Sequence, residues 1–320
     1  MRLFILSLVF FLSVNAFPQS TERIVFYNTE NLFDTYNEIN KIDEAFLPSS
    51  MRHWTPKRYK QKLSNLSSLI MALSDDAFPS IIGMSEVENI TVLNDLVNHS
   101  ALKKIAYSFI HKNSADPRGI DVALLYDKKK FTPLKTDFIP VCLSKKYKRF
   151  SRDILYVKGV FNCRDTFHFF INHWSSRLGG RVKSEYKRII QAKILASKVD
   201  SIKIRNEKAR IIIMGDFNDA PNNVSIQKYL CSRSNLNNLA FNLYKDGQGT
   251  YKYKAYWDLF DQMIVSKSVK SSKMYICKFS FLFEEDKKFG GLKPKRTYNG
   301  IRYLGGFSDH LPVYIDLLFP

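Results

Sequence analysis

The run Ile211-Ile212-Ile213-Met214-Gly215-Asp216-Phe217-Asn218 halts an apolar stretch abruptly on Gly, Asp and Asn. Side chains just past the end of a buried strand are held rigidly at the mouth of a cleft. There a carboxylate can align a water, and an amide can donate to developing negative charge. An Asp/Asn turn closing a strand would read the same way in isolation. A second group, Gly306-Phe307-Ser308-Asp309-His310, precedes the strand-like Val313 to Leu318 and sets an Asp and a His side by side. Histidine, with an ordinary pKa of about 6.5, exchanges protons near neutral pH, and a nearby carboxylate fixes its tautomer.

Two earlier pieces also lie where apolar runs end: Asn28, in Tyr27-Asn28-Thr29-Glu30-Asn31, and Glu86, in Gly83-Met84-Ser85-Glu86-Val87-Glu88-Asn89. Oxygen donors of this kind suit a hard divalent cation, Mg²⁺ or Mn²⁺ with Ca²⁺ as a further candidate, which keeps waters and binds substrate phosphate directly. Zinc would call for more His or Cys. Arg118 and Asp121, in Arg118-Gly119-Ile120-Asp121, and Arg177, in Ser175-Ser176-Arg177-Leu178-Gly179-Gly180, are substrate-binding candidates. Arg118 offers a guanidinium fork for phosphate, Asp121 a carboxylate to hold a histidine, and Arg177 a substrate contact beside His173. No motif surrounds His53, His99, His111 or His168, which read as structural or exposed.

Taken in chain order, Asn28, Glu86, His173 within Asn172-His173-Trp174, Asp216 with Asn218, Asp261, and Ser308-Asp309-His310 resemble the endonuclease/exonuclease/phosphatase superfamily. The resemblance spans nearly the whole chain beyond its N-terminal segment. It implies the DNase I-like fold, a four-layer α/β sandwich with two packed mixed β-sheets flanked by helices. It also implies that Glu86 is the main metal ligand, with Asn28 and Asp309 at the same site, and that Asp216 activates or orients the attacking water. By the same resemblance Asn218 contacts the scissile phosphate, and His310, paired with Asp261, stabilises the pentacovalent phosphorane. His173 corresponds to the second histidine of the nuclease and phosphodiesterase branches. In physical terms, metal, amide and imidazolium neutralise phosphate charge while a base aligns water for in-line attack. Tyr27 stands where many relatives carry Trp, and Ser85 precedes Glu86 where abasic-site repair nucleases usually have Gln.

The elements that must position these groups are legible in the apolar pattern. Strands are expected at Arg23 to Tyr27, Ser80 to Met84, Asp121 to Tyr126, Thr166 to Asn172, Arg210 to Met214, Gln262 to Val265 and Val313 to Leu318. They are rich in the β-branched and aromatic residues that fit pleated surfaces. Thr55 then Pro56 signals a helix start, and Tyr59, Leu63, Leu66, Ile70 and Leu73 supply its buried stripe, ended by Asp75, Asp76 and Pro79. A second helix is expected from Val182 to Ile204, with Tyr186, Ile190, Ile194, Val199 and Ile202 facing inward. The stretch from Phe281 to Tyr303, with paired glycines and many lysines, reads as loop. No repeat or linker divides the chain, so one mixed α/β domain over residues 17 to 320 is expected.

Residues 1 to 16 have the layout of a cleavable signal peptide, with Arg2, an apolar stretch from Leu3 to Val14, and Ala16 before Phe17. The expected location is therefore secreted or periplasmic. Cys142, Cys163, Cys231 and Cys277 form no CxxC pair, and either disulfides or buried thiols fit them. At 45% hydrophobic and 25% charged, with 13 Gly and 11 Pro in 320 residues, the chain is neither collagen-like nor wholly disordered. Its net charge of +19 draws in polyanions. Clusters at Lys128 to Lys130, Lys145 to Arg149, Lys252 with Lys254, and Lys293 to Arg296 are candidate phosphate contacts.

The combined expectation is an exported, divalent-metal-dependent phosphodiesterase, a non-specific nuclease on DNA or RNA, monomeric and without an obligate protein partner. Its alternatives are a sphingomyelinase-like enzyme using Phe279 to Phe283 as a membrane hairpin, an inositol or sugar phosphatase, and an inactive binding module, which would lack Glu86, Asp216 or His310.

Overall fold

The computed structural model describes residues 21–74, 78–99, 101–144, 146–147, 149–162 and 165–319. The signal-peptide segment, Cys163, the helix-ending Asp75 and Asp76, and Lys145 and Lys148 of one basic cluster lie outside the described residues.

Alternation along the strands builds the layers. In β1 (Thr21–Leu32), Ile24 and Phe26 enter one apolar cluster while Val25 and Tyr27 enter another on the opposite face. A strand apolar on both faces must be covered on both, because successive side chains project to opposite sides. The chain continues through β2 (Ile81–Val87), β3 (Tyr107–His111) and β4 (Asp121–Asp127) of the same sheet. It then crosses to a second sheet of β5 (Phe131–Ser144), β6 (Arg149–Phe161), β7 (Asp165–His173), β8 (Arg210–Asp216) and β9 (Leu236–Asn238). The small hairpin of β10 (Tyr251–Tyr253) and β11 (Tyr256–Asp258) precedes β12 (Asp261–Ser266), which joins that second sheet. The chain returns to the first sheet with β13 (Tyr275–Ile276), makes the hairpins β14 (Phe283–Glu285) with β15 (Leu292–Pro294) and β16 (Tyr298–Asn299) with β17 (Arg302–Tyr303), and closes with β18 (Val313–Leu318).

The two large sheets have the orders β13-β18-β1-β2-β4-β3 and β5-β6-β7-β8-β12-β9. Each contains one parallel pair, β1 with β2 and β7 with β8. A parallel pair needs a crossover, and a helix supplies it in both cases: α1 (Pro56–Ala72) between β1 and β2, and α3 (Arg181–Arg205) between β7 and β8. Between the sheets, Ile24, Phe26, Val122, Leu124, Val313 and Ile315 meet Phe169, Ile171, Ile212 and Met214. Outside the first sheet, α1 and α2 (Ile90–Val97) cover Val25, Ile82 and Leu125; outside the second, α3 covers Phe170, Ile211 and Ile213. The result is the expected four-layer α/β sandwich.

Local signals hold at the helix starts. Thr55 caps α1 by accepting from Arg58 N at 3.4 Å, and Asn89 caps α2 by accepting from Val92 N at 3.1 Å. The face of α3 differs from expectation: Ser184, Arg188, Gln191, Ala192, Leu195, Ala196 and Val199 are buried, whereas Tyr186 is exposed. The cause is polar. Arg188 pairs with buried Asp219, Nε to Oδ2 at 2.8 Å, and that pair rotates the start of the helix away from the face an apolar count selects. The stretch from Phe281 to Tyr303 is not simply loop, since it holds the four short strands β14 to β17. The Phe279 to Phe283 segment forms a 3₁₀ turn, Ser280–Leu282, with Leu282 buried and Phe279 stacked on Phe281 at 5.3 Å. Cys142, Cys231 and Cys277 are free thiols.

Candidate active site

Strand register assembles half of the site. His173, Asp216 and Asp261 lie in one lateral row across β7, β8 and β12, since Asp216 is opposite His173 on one side and Asp261 on the other. Gly215 lets the row close, because a Cβ there would lie 2.4 Å from the Asn172 carbonyl oxygen. The first sheet supplies the facing half. Its strands run past the expected ends: β1 continues from Asn28 to Leu32 and β2 from Met84 to Val87, both with register shifts. Glu86 sits in the shifted part at φ +62°, and Glu30 and Asn31 at φ +49° and +54°. Left-handed backbone at non-glycine residues is uncommon, and a bulge of this kind turns a side chain out of its strand's alternation. Asn218 takes the same conformation at φ +50° just beyond β8.

Asn28 ties the halves together, its Nδ2 donating to Asp216 Oδ2 at 3.0 Å and Glu86 Oε1 at 3.2 Å. Its own oxygen accepts from Glu30 N at 2.9 Å, so Asn28 presents hydrogens, not oxygen, to the cluster. Glu86 Oε2 accepts from Asn31 N at 2.8 Å. His173 Nε2 is 3.6 Å from Asp216 Oδ2 and 3.8 Å from Glu86 Oε1, and its buried Nδ1 has no partner among the described residues. His310 Nδ1 is 2.7 Å from Asp261 Oδ2, which also accepts from Thr250 Oγ1 at 2.5 Å. That leaves Nε2 facing Asp216 Oδ2 at 3.9 Å. Both imidazole-to-Asp216 separations exceed a hydrogen bond and suit an intervening oxygen. Asn218 donates its backbone N–H to Asp216 Oδ1 at 2.9 Å and its side-chain amide to the Trp174 carbonyl at 3.1 Å.

Electrostatics separates the two histidines. Burial lowers His310, but Asp261 and Asp216 outweigh it and hold the imidazole charged well above its ordinary range. Burial, then Arg118 and His310, keep His173 well below its ordinary range, hence neutral. Burial pushes Asp216 up to about 7, with His310 opposing the rise and Asp261 and Glu86 adding to it. Burial raises Glu86 as well, with Asp309 adding to the rise. Crowded, desolvated carboxylates of this kind bind a cation well, and the all-oxygen donors Glu86 and Asp309 fit a hard divalent ion. Asp216, Asp261 and His310 also approach within 4.8 Å of one another, and within that trio Asp261 is hydrogen-bonded to His310.

The substrate candidates separate. Arg177 is at the site, donating to the Asn218 carbonyl at 2.9 Å and lying over the Phe260 ring at 4.5 Å. Arg118 is half exposed beside it, bonded to Asp116 at 3.1 Å. Asp121 holds no histidine: its Oδ2 accepts from Ser114 N at 2.9 Å. Asp309 is bound to Arg296 at 2.6 Å, and Glu30 lies 3.5 Å from the same guanidinium. His111 and His168 are bonded to Val122 O and the Tyr156 hydroxyl, away from the cluster.

Several members had no motif to announce them. Thr250 anchors Asp261, and the Tyr251 ring lies 4.9 Å from that of His310. Fully buried Arg152 donates to the carbonyls of His173 at 2.9 Å and Trp174 at 2.6 Å and reaches Asp116 at 3.1 Å. Their only sequence signal is a polar residue inside an apolar strand or a turn.

A model of the Endonuclease/Exonuclease/phosphatase family matches residues 23–318. No match is found among curated proteins. Among solved structures, an endonuclease/exonuclease/phosphatase family protein from Bacteroides thetaiotaomicron is 16% identical with a TM-score of 0.60, covering 95% of this chain and 100% of that one. The human Nocturnin catalytic domain with bound sulfate is 16% identical at a TM-score of 0.56, covering 94% and 98%. D. rerio TDP2 complexed with a single-strand DNA product is 16% identical at 0.58, covering 93% and 99%. At this identity the three structures speak for the fold.

Proposed function

Because the chain belongs to the endonuclease/exonuclease/phosphatase family, a family of phosphoester hydrolases, we propose that it is an exported, divalent-metal-dependent phosphodiesterase that cuts nucleic acid. The observation that carries this reading is the row of His173, Asp216 and Asp261 facing His310, Asn28 and Glu86 across the ends of two sheets. Asp216 is the group that orients the attacking water and takes its proton, since it lies between both imidazoles and becomes basic near neutrality. His310, kept charged and fixed in tautomer by Asp261, donates from Nε2 to a phosphate oxygen as negative charge builds. Neutral His173 and the Asn218 amide add uncharged donors on the other side. Glu86 and Asp309 would hold a Mg²⁺ or Mn²⁺ ion, which supplies Lewis-acid neutralisation of phosphate charge. Asn28 holds Glu86 and Asp216 in their relative positions.

Nucleic acid is favoured over lipid. The aromatic segment that a membrane hairpin would need is a short 3₁₀ turn with Leu282 buried, and Phe281, though exposed, packs against Phe307 at 5.3 Å. The single-strand DNA product on the fold neighbour TDP2 also supports a nucleic-acid substrate. Residues 1 to 16 support export, and residues 17 to 320 are taken as one domain acting as a monomer. The test is incubation with supercoiled plasmid, single-stranded RNA and a sphingomyelin dispersion, each in Mg²⁺ and in EDTA, beside His310→Ala. Metal-dependent cutting of nucleic acid that the variant lacks is expected; turnover of lipid alone would overturn the nuclease reading.

A further inference from the structure

In three of the four basic clusters, one or two of the cations are paired with carboxylates of the fold. Lys130 pairs with Glu22 at 3.0 Å, Lys252 with Asp286 at 3.0 Å, Lys293 with Glu284 at 3.4 Å, and Arg296 with Asp309 at 2.6 Å. Charge neutralised in such pairs contributes little to attracting a polyanion. A concave region beside the site keeps unpaired cations among the described residues. A groove of about 800 Å³ opens beside the backbone that carries His173, between the 115–118 loop, the end of the β5–β6 hairpin, the 175–179 loop and the start of α3. Its size falls in the range of ligand clefts, about 300–1,000 Å³.

The lining is of two kinds. Asp116 is its lone carboxylate among the described residues and is already taken by Arg118 and Arg152. Arg149 and Lys187 have no ion-pair partner among the described residues. They also sit close enough to each other that, after burial, Arg149 is the next cause lowering the Lys187 ammonium. Two like charges from β6 and α3, without a carboxylate partner among the described residues, face the same groove and can meet an anion. Tyr147 and Phe150 line the same groove with exposed ring surface, Tyr147 at 73%. Cations that track a backbone beside aromatic faces on which unpaired bases stack form the usual surface for single strands.

We propose that this groove binds the single-stranded segment flanking the scissile phosphate, with backbone phosphates on Arg149 and Lys187 and a base on Tyr147 or Phe150. The inference rests on the nuclease reading above and adds a preference to it. Paired bases cannot offer a face to Tyr147, so frayed ends and single strands are bound in preference to duplex.

The test compares intact protein with Arg149→Ala/Lys187→Ala and with Tyr147→Ala. Two substrates are used, a labelled 12-nucleotide single strand and bis(p-nitrophenyl) phosphate, which is too small to occupy the groove. The ratio of kcat/KM for the strand to that for the small diester should fall at least about tenfold in each variant, through KM. In the double variant the salt dependence of strand binding should flatten by about 1.4 in log–log slope, two phosphate contacts at about 0.7 each. Binding of the same strand to His310→Ala, followed by fluorescence anisotropy with and without the groove substitutions, separates binding from turnover. An unchanged ratio and unchanged binding, in an enzyme that cuts the strand, would overturn the groove and leave the nuclease reading standing. Turnover of the small diester with neither cutting nor binding of the strand would overturn both.

Discussion

Asp261 holds His310 by a 2.7 Å contact between its Oδ2 and the imidazole Nδ1, and this bond decides which nitrogen faces the reaction. With Nδ1 committed, Nε2 is the nitrogen presented to Asp216. Thr250 in turn holds the carboxylate oxygen that receives Nδ1, so the orientation is fixed two residues deep.

Replacing the acceptor tests that arrangement. Asp261→Asn removes a negative charge that raises His310, so kcat should fall by roughly 10²–10⁴-fold with KM changing far less. The loss of activity as His310 deprotonates lies at high pH in the intact enzyme, because its folded pKa is raised. In the variant that limb moves to lower pH. A kcat–pH profile checks it, and an unmoved limb would assign the titration elsewhere.

Buried carboxylates make stability depend on pH in an unusual direction. Burial, above all, raises both Asp216 and Glu30 to about 7, so the folded state holds protons that the unfolded chain has released. Their contribution is full below the unfolded range at about pH 4 and is lost as pH rises to about 7 and beyond. Raised His310 acts in the same sense at higher pH, while His173, held neutral, works against it below its ordinary 6.5. Melting in EDTA should therefore show carboxylate destabilisation at pH 8 that Mg²⁺ relieves. The rise in Tm on adding Mg²⁺ should be larger at pH 8 than at pH 6, because Glu86, raised by burial, must lose its proton to hold the ion. Equal rises at the two pH values would place the ion away from this cluster.

Asn28 offers hydrogens to Glu86 and Asp216, which makes it an orienting group and not an oxygen ligand in this geometry. Asn28→Ala should weaken Mn²⁺ binding by about 10–100-fold, the usual effect of losing a group that orients a ligand. Glu86→Ala should abolish it. Calorimetric titration with Mn²⁺ reads both, and equal losses would make Asn28 a ligand in its own right.

Gly215 is sterically required next to Asp216. A Cβ at 2.4 Å from the Asn172 carbonyl oxygen meets backbone and cannot be absorbed by a side-chain rotation. Gly215→Ala should destabilise the fold by about 1–3 kcal/mol and widen the β7–β8 pairing that aligns His173 with Asp216. Urea unfolding measures the first effect; retained stability together with full activity would show that the pairing relaxes without harm.

Arg152, buried under the His173–Trp174 backbone, should matter to folding more than to chemistry. Removing one partner of a buried charge pair leaves Asp116 with the half-exposed Arg118 guanidinium alone, so Arg152→Met should lower stability by about 3–5 kcal/mol. Thermal unfolding tests this, and a change below about 1 kcal/mol would mean that the pair contributes little here.

What the sequence by itself determined were the features written at one position or over one period. Apolar alternation placed the central strands, Thr55-Pro56 placed a helix start, and the polar residues interrupting apolar runs at Asn28, Glu86, Asp216 and His310 marked where chemistry can occur. What only the tertiary structure decided depends on pairing between distant segments. Register sets His173 beside Asp216 and Asp216 beside Asp261, and a one-residue slip would turn each side chain to the opposite face. Positive φ at Glu86 and Asn218, the rotation of α3 by the Arg188–Asp219 pair, and the placement of Thr250 and Arg152 follow from contacts that no local window contains. Charge shows the difference most plainly. The count of basic residues is a property of the sequence, but whether a lysine is free to meet a phosphate depends on which carboxylate the fold brings to it.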